Sequence, residues 1–205
     1  YQTRDRQLFH TDSTDFVGLL CLQKSKSGGE SSISSSVAIH DEIYRRDKTL
    51  WEALYAPFWR DRRGEVPPGK IDYYPMAVFH YHAGKLSTIY SRDYIESCLR
   101  FSELPSHTET QKAALDLFDE LSESPDFRLD MAFEPGDIQF LHNHQILHAR
   151  AGFEDWPEVE RRRHLLRLWL CPENGRPLPD SMIERYLTIE IGDRGGIIGG
   201  STELN

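Results

Sequence analysis

"FRLDMAFEPGDIQFLHN", residues 127–143, decides what kind of molecule this is. Two short apolar-rich runs, FRLDMAFE and DIQFLHN, flank a Pro135–Gly136 turn, the pattern of strand, turn and strand. A third run, RHLLRLWL (163–170), follows and is stopped by Pro172, which cannot continue a central strand. Upstream, PMAVFHYH (75–82) and LSTIYS (86–91) read as a hairpin around Gly84, and DFVGLLCLQ (15–23) as a buried strand. Helices are inserted among them. In HTETQKAALDLFDELSES (107–124), Ala114, Leu117, Phe118 and Leu121 fall at i, i+3, i+4 and i+7, an amphipathic helix. VAIHDEIYRRDKTLWEALYAPF (37–58) reads as two short helices divided at Asp47, a residue suited to an N-cap. KSKSGGESSISSS (24–36) has the composition of a flexible linker or a long loop. The expected fold class is mainly β with inserted helices, a curled or barrel-like antiparallel sheet rather than alternating βαβ units.

Composition narrows the function. The 205 residues suffice for a single domain with a sizeable core, compatible with a homo-oligomer. A net charge of −9, from 24 basic and 33 acidic residues, disfavours nucleic acid as a partner. No run approaches the roughly 18 apolar residues of a membrane span. Cys21, Cys98 and Cys171 are widely spaced and form no C-x-x-C, which excludes a thiolate zinc cluster and fits a reducing, cytoplasmic setting. The glycine-rich GDRGGIIGG (192–200) does not follow G-x-G-x-x-G and reads as loop rather than nucleotide site.

Two groups of residues carry chemistry. In LFHTDST (8–14), a strand would project His10 and Asp12 to one face, offering a borderline nitrogen and a hard anionic oxygen to a metal. H-x-D alone is unspecific. A third ligand could come from His142, His144 or His148 in HNHQILHAR, or from His80 or His82 in FHYH; spacing does not choose among them. A helical HNHQILH would pair His144 with His148, but Gln145 replaces the glutamate of H-E-x-x-H. His80 and His82 read more simply as strand residues, hydrogen-bonded or in solvent. The second group is RRRHLLRLWL, where alternation puts Arg163, Leu165, Arg167 and Trp169 on one face, and His164, Leu166, Leu168 and Leu170 on the other. Inward arginines are costly unless they meet anions, either a ligand or the protein's own carboxylates.

In this order the pieces FHTD (9–12), SGGESS (27–32), EPGDIQFLHNHQILHAR (134–150) and RHLLR (163–167) resemble the taurine/2,4-dichlorophenoxyacetate dioxygenase family of Fe(II)- and 2-oxoglutarate-dependent oxygenases. The resemblance spans residue 9 to about 171 and implies a double-stranded β-helix, or jelly roll, here without the family's N-terminal part. It implies that His10, Asp12 and His148 are the iron ligands, with His148 marked by Asn143 five positions before it. Ser31 and Arg163 would hold the distal carboxylate of 2-oxoglutarate, with Arg161 and Arg162 as alternatives to Arg163. Arg167 would grip a small anionic substrate head group, a carboxylate or sulfonate, and Arg6 would add a second contact. With dioxygen as oxidant, the implied reaction is hydroxylation, desaturation or ring closure at an unactivated C–H bond. Asp12 fills the position that halide takes in related halogenases. Two rival readings are a zinc-dependent hydrolase using the same histidines and a non-catalytic jelly-roll binding module.

Overall fold

The computed structural model describes residues 3–196. Along the chain, β1 (Gln7–His10), β2 (Phe16–Gln23), β3 (Ser27–Gly28) and β4 (Ser31–Ser35) lead into helices α1 (Ser36–Arg46) and α2 (Lys48–Ala53). Next come β5 (Phe58–Asp61), β6 (Tyr73–Met76), β7 (Phe79–His82) and β8 (Lys85–Thr88), followed by α3 (Arg92–Glu96) and α4 (Glu109–Glu123). The second half holds β9 (Arg128–Met131), β10 (Ile138–His142), β11 (Ile146–Arg150), β12 (Phe153–Glu154), β13 (His164–Leu170) and α5 (Ile183–Tyr186). The molecule is mainly β with several helices.

Two antiparallel sheets organise it, one ordered β1-β11-β4-β9 and the other β10-β2-β13. The chain passes back and forth between them, so residues distant in sequence meet at the loops that join the sheets. Register brings His10 opposite His148 in the first sheet, while Leu19 and Val17 lie beside Arg167 and Trp169 in the second.

Helices α1, α2 and α4 form where the pattern predicts them, while the short α3 and α5 lie outside that expectation. Asp47 caps α2, its carboxylate accepting from the backbone N–H groups of Thr49 and Leu50. Thr108 and Gln111 close a reciprocal capping box on α4. That helix buries Ala114, Leu115, Phe118 and Leu121 against Phe9, Phe79, Tyr90 and Leu147, the largest apolar cluster. α4 thereby fixes the back of the strands that carry the histidines. The Ala83–Gly84 turn joins β7 to β8, as the hairpin reading expects.

The serine-rich stretch departs from its expectation. Residues 31–35 are a central strand, with Ser31, Ser32 and Ser34 buried between β11 and β9. Small hydroxyls tolerate this position because the backbone is paired on both sides and Ser32 donates to the Asp130 carboxylate. β2 is also less enclosed than a buried strand. Its inner residues Val17 and Cys21 are covered, while Leu22 is open. The same outer face exposes Ile138, Phe140, Leu166 and Leu168. Of the glycine-rich tail, residues 192–196 form no regular element, and 197–200 lie outside the described residues.

Candidate metal centre

His10 ends β1, and its Nδ1–H donates to the Leu8 carbonyl at 2.8 Å, which leaves the Nε2 lone pair facing Asp12. Asp12 is not on the strand. It sits in the loop that follows, and its place is set by Asn143 in the turn that joins β10 to β11. Asn143 is fully buried; its Oδ1 accepts from Asp12 N at 2.9 Å, and its Nδ2 donates to Asp12 O at 2.6 Å and Thr14 O at 2.8 Å. Thr11, between the two candidate ligands, is tied to the Tyr90 backbone by three hydrogen bonds. The loop is therefore held from both sides. His148 enters from β11, directly across from His10.

The three side chains converge. His10 Nε2 lies 3.8 Å from Asp12 Oδ1, and His148 Nε2 lies 3.7 Å from Asp12 Oδ2. One ligand atom from each residue falls within 4.8 Å of the others. These gaps are too wide for hydrogen bonds, yet donors about 2.1 Å from a shared ion at right angles would stand about 3 Å apart. A small relaxation would close them onto a cation. Two imidazoles and one carboxylate form the donor set of a facial non-haem Fe(II) site, so these residues fit that ion.

Electrostatics favours the metal-ready forms. Burial pushes the Asp12 carboxyl up, but His148, His10, Arg167 and the Trp169 hydrogen bond outweigh it and keep the group below the usual carboxylate range. Burial, with His10 alongside, pushes His148 down to about 3, so its imidazole is neutral and its lone pair available.

Around this triad, β13 supplies the face that alternation predicts. Trp169 Nε1 donates to Asp12 Oδ2 at 2.9 Å, and Arg167 reaches the same oxygen at 3.4 Å. Arg163 lines a separate cavity of about 210 Å³ with Cys21, Gly29, Glu30, Phe133 and Leu165. Its guanidinium packs over the Phe153 ring, and burial pushes its pKa down, which an arriving anion would relieve. Gly29 makes the room: its φ is +79°, and a Cβ there would stand 3.2 Å from Arg163 Nε. The neighbouring arginines are engaged elsewhere. Arg161 stacks on Trp156, and Arg162 donates to the carbonyls of Trp156 and Pro157. Ser31 is buried on β4, opposite Arg150 and Met131.

Arg6 does not join this group. It lies just before β1, which has a register shift between Gln7 and His10, and its guanidinium pairs with Glu123 of α4. His144 does not join it either. It is in a turn, fully buried, with its Nε2–H donating to Asp15 Oδ1 at 2.6 Å. A helical His144–His148 pair is therefore absent. His142 faces Arg176 at 3.0 Å. His80, pushed down to about 4 by burial, bonds Ala77 O and Ser181, while His82 is exposed. Asn143 and Trp169 brace the site, a role that sequence pattern alone does not assign them; for Trp169 the available signal is its shared face with Arg167.

Comparison with known proteins gives the family. Residues 1–169 match the model of the family described as "Taurine catabolism dioxygenase TauD, TfdA family", and the chain belongs to that family. It is 37% identical over 188 residues to FR-33289 synthase of Streptomyces rubellomurinus, covering 89% of this chain and 54% of that protein. It is 27% identical to a uridine-5'-phosphate dioxygenase of Amycolatopsis sp, covering 82% of this chain and 62% of that one. The chain thus spans about half to two thirds of these relatives' length. Among solved structures, asparagine oxygenase in complex with Fe(II), 2S,3S-3-hydroxyasparagine and succinate superposes with a TM-score of 0.61 at 19% identity, covering 81% of this chain and 50% of that one. The non-heme iron oxygenase OrfP in complex with Fe superposes at 0.59 and 12% identity, covering 82% and 51%. These two share the fold. Among the described residues, no helix is long and apolar enough to cross a membrane.

Proposed function

We propose that this chain is the double-stranded β-helix core of an Fe(II)- and 2-oxoglutarate-dependent oxygenase that oxidises a C–H bond of a small, anionic molecule. The observation that carries the reading is the convergence of His10, Asp12 and His148 within 4.8 Å, in a member of this dioxygenase family. Those three residues would hold Fe(II). When bound with 2-oxoglutarate and dioxygen, the iron would supply an oxidative decarboxylation to succinate and carbon dioxide, coupled to substrate oxidation.

The chain's own residues do the positioning. His148 offers a neutral nitrogen from an apolar setting, and Asp12 supplies the single negative charge that offsets the cation. Asn143 clamps the backbone of Asp12, so the carboxylate is held before any ligand arrives. Arg163, with no carboxylate hydrogen-bonded to its guanidinium among the described residues, would take the distal carboxylate of 2-oxoglutarate, with the hydroxyl of Ser31 on β4 as a second contact. Arg167, already beside Asp12, would meet the anionic end of the substrate. The relative named for uridine-5'-phosphate is consistent with an anionic substrate class. The zinc-hydrolase reading loses support because His144 is committed to Asp15. The binding-module reading leaves the convergent triad without a purpose.

Anaerobic addition of Fe(II) and then 2-oxoglutarate tests this reading; a weak visible charge-transfer band is expected, and its absence beside tight Zn(II) binding would overturn it. Arg163→Ala should raise the half-saturating 2-oxoglutarate concentration about 10- to 100-fold, the worth of charge-assisted hydrogen bonds of about 1.5–3 kcal/mol. Titration of the band measures this directly. Arg167→Ala should keep the band and 2-oxoglutarate decarboxylation, but break the match between succinate formed and substrate oxidised.

A further inference from the structure

We propose that Trp169 is a positioning residue that keeps Asp12 a one-oxygen metal ligand and thereby preserves an open coordination position. The inference deepens the metal-centre reading and rests on it. Asp12 is buried, and its backbone is locked by Asn143 through both its N–H and its carbonyl. The remaining freedom of the residue is rotation of the carboxylate. Left alone, a carboxylate beside a divalent cation can bind through one oxygen or chelate through both.

Trp169 makes the choice. It sits on the inner face of β13, paired with Val17 in the central strand of its sheet, and its Nε1–H donates to Asp12 Oδ2 at 2.9 Å. Arg167 approaches the same oxygen at 3.4 Å. Each carboxylate oxygen faces one histidine, Oδ1 towards His10 Nε2 at 3.8 Å and Oδ2 towards His148 Nε2 at 3.7 Å, but both donors from β13 address Oδ2. Oδ1, the oxygen that takes no donor from β13, is therefore the one left to bind the metal. The indole suits this role because it has one donor, no acceptor, no charge and a rigid ring. It cannot itself ligate the ion, and it does not titrate.

The consequence is a matter of counting. A six-coordinate ion held by these three residues would keep three sites, two for a chelating 2-oxo acid and one left open for dioxygen. A chelating Asp12 would consume the last of these. Losing Trp169 should therefore leave co-substrate binding and weaken the oxygen-dependent step.

Mn(II) is the probe, because it can be loaded without oxidation and its bound waters can be counted from the broadening of its spin-resonance lines in ¹⁷O-water. The wild-type protein is expected to bind Mn(II) with three waters and Trp169→Phe with two. Benzothienylalanine at position 169 keeps the shape of the indole without the N–H, and should also give two. It is the decisive variant if phenylalanine disturbs folding. With Fe(II), both variants should keep the 2-oxoglutarate band while oxygen consumption falls about tenfold or more. Three waters in both variants would overturn the role of Trp169 and leave the metal site standing. Failure of the wild-type protein to bind Mn(II) would fell the metal-centre reading, and this inference with it.

Discussion

Asp12→Ala is expected to abolish the Fe(II)–2-oxoglutarate band and all substrate oxidation, while the protein still folds. Asp12 is the one anionic member of the triad, and the two imidazoles left behind carry no charge to offset a divalent cation. Losing a residue that only braces a metal ligand costs about 10- to 100-fold in affinity or activity, so losing the ligand itself should exceed the upper end of that range. Folding should survive because Asn143 grips the backbone of residue 12, not its side chain. Thermal unfolding with and without Mn(II) separates the two effects. At a free metal concentration 100 times its Kd, the wild-type protein gains about 2.7 kcal/mol by mass action. The variant should show no metal-dependent shift. A full shift in Asp12→Ala would mean that the ion binds elsewhere.

That test bears on residues legible in the sequence, though not always for the right physical reason. Alternation along a strand pairs His10 with Asp12, yet β1 stops at His10 and Asp12 is placed by a loop. The two residues do converge, but the geometry comes from Asn143, which the motif used as a marker for His148 and which proves to clamp the backbone of Asp12. The Arg167 and Trp169 face follows from period-two alternation along β13 (164–170), whereas Arg163 precedes that strand, next to a register shift at His164 and Leu165. That Trp169 would meet Asp12 could not follow from alternation, since it depends on how the two sheets close. Ser31–Ser35 misleads composition for a related reason. Serine reads as linker when its neighbours are unknown, and as strand once β9 and β11 satisfy its backbone from both sides. The least legible feature spans 179 positions: nothing local to Arg194 announces that it belongs beside Asp15.

Asp15→Ala is expected to produce the largest loss of stability, although it touches none of the candidate metal ligands. Asp15 lies where the H-T-D-S-T-D loop enters β2, and its carboxylate is the hub of a buried network. Arg194 donates to it through Nε and NH2, the latter at 2.9 Å, His144 through Nε2 at 2.6 Å, and Cys171 approaches at 3.2 Å. The side chains of Arg194 and His144 are wholly enclosed. Removing the carboxylate strands a buried guanidinium, and breaking one side of a buried pair costs about 3–5 kcal/mol. For a chain of this size that is a fall in Tm of about 6–20 °C. The Asn143 N–H also donates to the Asp15 carbonyl, so looseness there should reach the clamp on Asp12 and weaken metal binding as a secondary effect. The pH dependence has a definite sign. Burial pushes the Asp15 carboxyl up, but the hydrogen bonds from His144 and Arg194 prevail and hold it at about 2. An unfolded aspartate titrates near 3.9, so the unfolded chain binds the extra proton in the interval between. The contribution of Asp15 is thus fully present above about pH 4 and is lost as pH falls toward about 2. Denaturant titrations at pH 7 and across pH 4 to 2 should show Asp15→Ala destabilised at neutrality, with the gap to the wild-type protein narrowing as acid protonates the same carboxylate. A gap that stays constant through that range would mean that the network is held by packing and not by charge.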